Sequence, residues 1–210
     1  MTTVCILGAA GRMGQMLLRT ASRFDDIRVS AAVERDGHEA LGKDAGLLAG
    51  MDELGVPVTS AAKAAAAEVA IDFTLHAATI GNLARAVAAG QAFVLGTTGL
   101  DAGAERALSA AATKIALVRA PNMSLGVNLL FELARRAAAV LDASYDVEIV
   151  EMHHRLKKDA PSGTALGLAE AVAEGRAVSL DKQAIYGRHG IVGERPRGQI
   201  ALHALRGGDV

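Results

Sequence analysis

In Val4-Cys5-Ile6-Leu7-Gly8-Ala9-Ala10-Gly11-Arg12-Met13-Gly14, a short apolar run leads straight into regularly spaced glycines. The run reads as a strand buried on both faces, and Met13, Leu17, Leu18 and Ala21 then follow at helical spacing. A strand, a glycine turn and a helix together bring the backbone close to a pyrophosphate. The unpaired N–H groups and dipole of the helix then point at the anion. The spacing is G-x-x-G-x-x-G and not the commoner G-x-G-x-x-G, so context separates it from an ordinary glycine turn. Gly8, Ala9, Ala10, Gly11, Arg12 and Met13 are the cofactor-binding candidates here.

The same rhythm continues outward. Arg28 to Val33, Val69 to Phe73, Ala92 to Leu95 and Ile115 to Val118 are further apolar runs, and a helical pattern from His76 to Ala89 stops at Gly90. Apolar strands alternating with helices predict a doubly wound parallel sheet of the α/β, Rossmann-like class. Ligands of such sheets bind beyond the carboxyl ends of the strands. Glu34, about twenty residues past the last glycine, is placed to accept the hydroxyls of an adenosine ribose, or is simply a solvated acid. Arg35 beside it could pair with a 2′-phosphate, so NADH and NADPH are both expected. Two later loops follow strand ends. Gly96-Thr97-Thr98-Gly99 offers hydroxyls and close backbone approach, and Ala120-Pro121-Asn122-Met123 offers an amide and carbonyls. Either alone could be a turn; together with the first loop they outline one crevice.

Composition narrows the field. The 210 residues carry 22 Lys and Arg against 23 Asp and Glu, which supports no broad electrostatic grip on nucleic acid. Cys5 is the sole cysteine, which excludes an internal disulfide and a Cys-rich zinc site. Hydrophobic residues make up 51% but aromatics only 3%, so the apolar content is mostly Ala, Val and Leu, as helices packed on a parallel sheet require. A charged fraction of 21% is too low for a disordered chain. No basic leader precedes Val4, and the Ala-rich stretch Ala61 to Ala70, broken by Lys63 and Glu68, is too short to span a bilayer. A cytoplasmic protein with no membrane partner is the expectation.

Beyond Pro121-Asn122 the pattern changes. Leu125 to Leu141 reads as an amphipathic helix. Tyr145 to Met152 alternates, with Tyr145, Val147 and Ile149 set against Asp146, Glu148 and Glu151, which predicts a strand of an open, half-exposed sheet. A polar loop from His153 to Pro161 precedes a helix starting near Ser162, and Ile200 to Leu205 is another strand. The expected division is a dinucleotide-binding domain over 1–124 and an α+β domain with an open mixed sheet over 125–210. The loop holds Glu151, His153, His154, Lys157, Lys158 and Asp159 before Ser162-Gly163-Thr164. Adjacent histidines seldom converge on one ion and no cysteine is near, so no metal is expected. A solvated basic loop is the plain alternative. The functional reading is an anion-binding, proton-donating site, since histidine titrates near neutrality and a helix N-terminus binds carboxylate.

Taken together, GAAGRMG at 8–14, Glu34-Arg35, GTTG at 96–99, APNMSLGVN at 120–128 and EMHHRLKKDAPSGTA at 151–165 resemble the 4-hydroxy-tetrahydrodipicolinate (dihydrodipicolinate) reductase family. The resemblance runs along the whole chain. It implies NAD(P)H-dependent reduction of a cyclic dicarboxylic imine to tetrahydrodipicolinate with loss of water, on the diaminopimelate route to lysine. It implies His153 as proton donor and acceptor, Lys157 as proton donor, and His154, Gly163 and Thr164 as substrate-binding residues. The loops at 8–13, 34–35, 96–99 and 120–123 would take the cofactor, and the second domain would assemble a homotetramer. It also implies further strands past Arg206-Gly207-Gly208-Asp209-Val210, so the second domain is expected to be incomplete. Two other readings remain: a semialdehyde or homoserine dehydrogenase sharing the crevice, and a nucleotide sensor without chemistry. Cys5 on the first strand suits a buried hydrophobe better than a nucleophile, and a sensor needs no proton-donating anion site.

Overall fold

Apolar side chains on alternate sides of one strand, Val4 and Ile6 against Cys5 and Leu7, are all buried, so this strand has a core on each face. It is β1 (Thr2–Leu7), central in a parallel six-stranded sheet of the computed structural model, which describes residues 1–61 and 67–209. The other strands are β2 (Ile27–Glu34), β3 (Val58–Ser60), β4 (Val69–Asp72), β5 (Ala92–Leu95) and β6 (Leu117–Arg119), in the order β3-β2-β1-β4-β5-β6. Helices α1 (Arg12–Ala21) and α2 (Ala45–Leu48) contribute Leu18 and Ala45 to the core containing Ile6 and Val58. Helices α3 (His76–Ala89) and α4 (Ala102–Ala111) contribute Leu83, Ala86 and Leu108 to the core containing Phe93 and Leu95. The expected doubly wound sheet is present, and its order reverses between β1 and β4, where open α/β sheets form their binding crevice.

Local chemistry explains the boundaries. α3 ends where Gly90 adopts the left-handed conformation, φ 65°, as its sequence predicts. β6 begins two residues later than the expected Ile115. Strand β3 and helix α2 are too short to show a period. Asp44 holds that region, its carboxylate accepting from the N–H groups of Gly46, Leu47, Leu54 and Val56. The Ala-rich stretch Ala61 to Ala70 lies partly outside the described residues. Among the described residues no helix is long and apolar enough to cross a membrane.

The chain divides into two compact units, Met1–Ala120 and Pro121–Val210. The second contains α5 (Leu125–Val140), β7 (Val147–His153), α6 (Gly163–Gly175), α7 (Leu180–Gln183), β8 (Ala184–Tyr186) and β9 (Ile200–Arg206). Its sheet runs β7-β9-β8. It was expected to be mixed, but both pairings among the described strands are parallel. Alanines at 138, 165, 169 and 173 pack α5 and α6 against Ile200 and Leu202, so small side chains take the role aromatics have in other cores.

The alternation of β7 is real, with one correction. Residues of one parity share a strand face, so Glu151 lies with Val147 and Ile149, not with Glu148. The exposed face instead carries Glu148, Val150 and Met152.

Candidate active site

The glycine turn is built by close approach. The N–H groups of Gly8 and Ala9 both donate to Val33 O at the end of β2, at 2.8 and 3.1 Å. A Cβ on Gly14 would stand 2.1 Å from Gly8 O and 2.7 Å from Ala9 Cα, so only glycine lets α1 settle on the turn. Gly11 caps α1 without any side-chain hydrogen bond, so the first-turn N–H groups, those of Arg12 and Met13 included, have no partner within the helix. Glu34 lies against the turn, where Oε1 accepts from Ala10 N–H at 2.9 Å and Oε2 from Arg35 N–H at 3.2 Å. The exposed Arg35 side chain follows it. Donors for a phosphate and an acceptor for ribose hydroxyls thus adjoin each other at the carboxyl end of the sheet, as a dinucleotide requires.

The two later loops are less open than their sequences suggest. Thr97 is buried, its hydroxyl within hydrogen-bond distance of Asp72 Oδ1 (3.3 Å) and Thr74 O (3.2 Å); Thr98 and Gly99 are exposed beside it. Only the Thr98 hydroxyl is therefore free for a ligand in the way the sequence suggests. Ala120 closes the first unit, with its N–H donating to Leu95 O at 3.3 Å, whereas Pro121, Asn122 and Met123 belong to the second. The Asn122 amide is already engaged. Its Oδ1 accepts from Ser124 N–H at 2.9 Å and its Nδ2 donates to Thr164 Oγ1 at 3.2 Å, joining an expected cofactor residue to an expected substrate residue.

In the second unit the catalytic candidates are organised by Glu151. Its carboxylate receives Arg206 through both guanidinium nitrogens at 2.8 and 2.9 Å, Ser162 N–H at 2.9 Å, and His153 Nδ1 at 2.6 Å. Strand register explains the meeting, since His153 of β7 pairs with Arg206 of β9 and Glu151 shares their face. Burial pushes the Glu151 carboxyl up. Arg206, His153 and the Ser162 amide together outweigh it and hold the group at about 2, against an ordinary 4.5. An ionised carboxylate can only accept, so His153 Nδ1 carries the proton and Nε2 is left for chemistry.

Around this pair, Lys157 Nζ donates to Asp159 Oδ1 at 2.9 Å, and Arg206 holds the same loop through Asp159 O at 2.6 Å. His154 Nδ1 accepts from Leu156 N–H at 3.1 Å, which makes its Nε2 a donor. Ser162 caps α6 through Ala165 N–H, and nothing lies within 4 Å of where a Cβ on Gly163 would be. The structure therefore places His153 at the end of β7, His154 and Lys157 on the loop that follows it, and Gly163 and Thr164 at the start of α6. Sequence reasoning included Glu151 in the cluster without a role and missed Arg206, which lies 55 residues away from it. The signal for Glu151 was its parity with Val147.

Comparison with known proteins agrees along the chain. The family models "Dihydrodipicolinate reductase, N-terminus" and "Dihydrodipicolinate reductase, C-terminus" match residues 2–123 and 126–210. The chain belongs to the dihydrodipicolinate reductase family. Relatives called 4-hydroxy-tetrahydrodipicolinate reductase include one from Anaeromyxobacter dehalogenans, 51% identical over 100% of this chain and 78% of its own length. Another, from Ruegeria pomeroyi, is 51% identical over 99% of this chain and 78% of its own. Among solved structures, the dipicolinate-bound dihydrodipicolinate reductase from Paenisporosarcina sp. TG-14 superposes with a TM-score of 0.67 at 26% identity, covering 99% of this chain and 79% of that one. Family membership sets aside the semialdehyde or homoserine dehydrogenase reading and the sensor reading. Cys5 fits this outcome: it is buried on β1, and burial pushes its thiol up to about 11, far from a ready thiolate nucleophile.

Proposed function

We propose that this chain catalyses the NAD(P)H-dependent reduction of 4-hydroxy-tetrahydrodipicolinate to tetrahydrodipicolinate with loss of water, in lysine and diaminopimelate biosynthesis. Family membership along both units supports the reaction. The observation that carries the division of labour is the 2.6 Å contact between His153 and Glu151.

The glycine turn and Glu34 fit a nicotinamide dinucleotide, since a Cβ at Gly14 would close the turn and the α1 amides are uncapped. Gly8 to Met13, Glu34, Arg35, Gly96 to Gly99 and Ala120 to Met123 would hold it. When bound, that cofactor supplies a hydride. The net reaction also consumes one proton, and His153 is the residue set up to move it. Glu151 fixes its tautomer, so Nε2 is the atom that gives or takes the proton. Lys157, held at the loop by Asp159, is a second proton donor and a cationic partner for carboxylate. The substrate carries two carboxylates. His154 Nε2 and the N–H groups of Gly163 and Thr164 at the start of α6 are the donors that would receive them. This accounts for a basic loop in a protein whose formal net charge is only -1.

Assembly as a homotetramer and a cytoplasmic location complete the reading. The first is supported by the apolar outer face of the second sheet, where Val150, Met152 and Leu205 are exposed. The test of function is direct. Purified chain supplied with NADH and freshly made product of dihydrodipicolinate synthase should lose absorbance at the nicotinamide band. His153→Ala should lower kcat by about 10²–10⁴-fold with NADH affinity unchanged. Folded chain that leaves NADH untouched under these conditions would overturn the assignment.

A further inference from the structure

β4 ends in a carboxylate with no exposure to solvent, Asp72. Its register partners are Leu7 on β1 and Leu95 on β5, the residues immediately before the glycine turn and before Gly96. Oδ1 accepts from Thr74 N–H at 2.8 Å and Thr74 Oγ1 at 2.6 Å, with Thr97 Oγ1 at 3.3 Å; Oδ2 accepts from Asn82 Nδ2 at 2.9 Å. Asn82, on α3, is itself oriented because its Oδ1 accepts from the Arg85 guanidinium. The turn that Asp72 holds is wedged between the two loops. A Cβ on Gly8 would come within 2.9 Å of Thr74 Cγ2, and one on Gly96 within 2.1 Å of the Phe73 ring.

Burying a carboxylate costs free energy that an apolar residue at this place would not. The hydrogen bonds of Asp72 join the turn after β4 to α3 and to the loop after β5, beside the point where strand order reverses. We infer that Asp72 is a positioning residue for the cofactor site, fixing the Phe73–Thr74 turn and through it the spacing between the glycine turn and the Gly96–Gly99 loop, with Asn82 as its required partner. It acts through these loops and does not touch the ligand. The inference rests on the dinucleotide reading of this crevice.

The polarity of the pair makes the test sharp. Asp72→Asn places an NH2 group against Asn82 Nδ2, donor against donor. Adding Asn82→Asp restores an acceptor there and keeps one for Arg85. NADH affinity, read from the change in its own fluorescence on binding, should weaken by about tenfold or more in Asp72→Asn. It should return to within about threefold of the original in Asp72→Asn/Asn82→Asp. Leu18→Ala, in the other core layer, should lower the melting temperature and leave NADH affinity unchanged. Equal NADH affinity in folded Asp72→Asn, or no recovery in a folded double variant, would overturn the inference. If Asp72→Asn does not fold, Thr97→Val decides: it removes only one hydroxyl donor, and unchanged NADH affinity there would also overturn it. No NADH binding by the unaltered chain would instead overturn the cofactor assignment, and this inference with it.

Discussion

Gly163 and Arg35 are residues whose roles can be separated from the stability of the chain. A Cβ on Gly163 meets nothing within 4 Å, and the residue opens α6. Gly163→Ala should therefore keep or raise stability, by up to about 1 kcal/mol, through a less flexible unfolded chain. The same methyl would occupy the space where a substrate carboxylate is proposed to meet the helix amides, so KM for the dicarboxylate should rise while NADH affinity holds. Unchanged KM would move the carboxylate elsewhere. Arg35 is exposed beyond Glu34, so Arg35→Ala should weaken NADPH far more than NADH, by about 1.5–3 kcal/mol for a lost charge-assisted contact. Equal losses for the two cofactors would remove Arg35 from the site. Both residues were legible in the sequence because each sits at a fixed offset from a pattern, the first helix turn or the second strand end. Asp72, Asn82 and Arg206 were not, because their roles come from partners that only strand register and helix packing bring near.

At the scale of elements, Glu151 ties β7 to β9 and to the start of α6, and its ionisation links that tie to pH. Its carboxyl is held at about 2 in the folded chain, below the ordinary 4.5, so the unfolded chain binds more protons between those values. The stability it contributes is full above about pH 4.5 and is lost as pH falls through that window toward 2. Glu151→Gln should thus be less stable than the original chain at pH 7, with the gap narrowing at pH 3, as read from urea midpoints. A gap of constant size would show that the carboxylate charge is not what holds the three elements together. The strand itself is visible as an alternation, yet acidity suggests exposure for Glu151 where parity places it with Val147 and Ile149. β3 and β8, three residues each, carry too few residues to display a period, and their pairing is set by neighbouring strands distant in the chain.

At the scale of the whole molecule, the second unit presents large apolar side chains to solvent on one helix and on its sheet. On α5, Leu125, Leu129 and Leu133 are exposed at helical spacing, and on the sheet Val150 of β7 is 64% exposed beside Met152 and Leu205. Glu148 on the same sheet face is held by Arg188, Arg195 and His203, which leaves the apolar side chains next to a charge cluster whose partners are already satisfied. A sheet face of this kind is suited to contact with another copy, because covering it removes apolar area from water without stranding a charge. The assembly proposed for such a contact is a homotetramer. Val150→Glu would place a carboxylate on that face beside Glu148, and should shift the mass seen by light scattering toward smaller species. NADH affinity should not change, since the glycine turn and Glu34 lie in the other unit. A chain that is a stable monomer before the substitution, at micromolar concentration, would show that this apolar face is not a contact between copies.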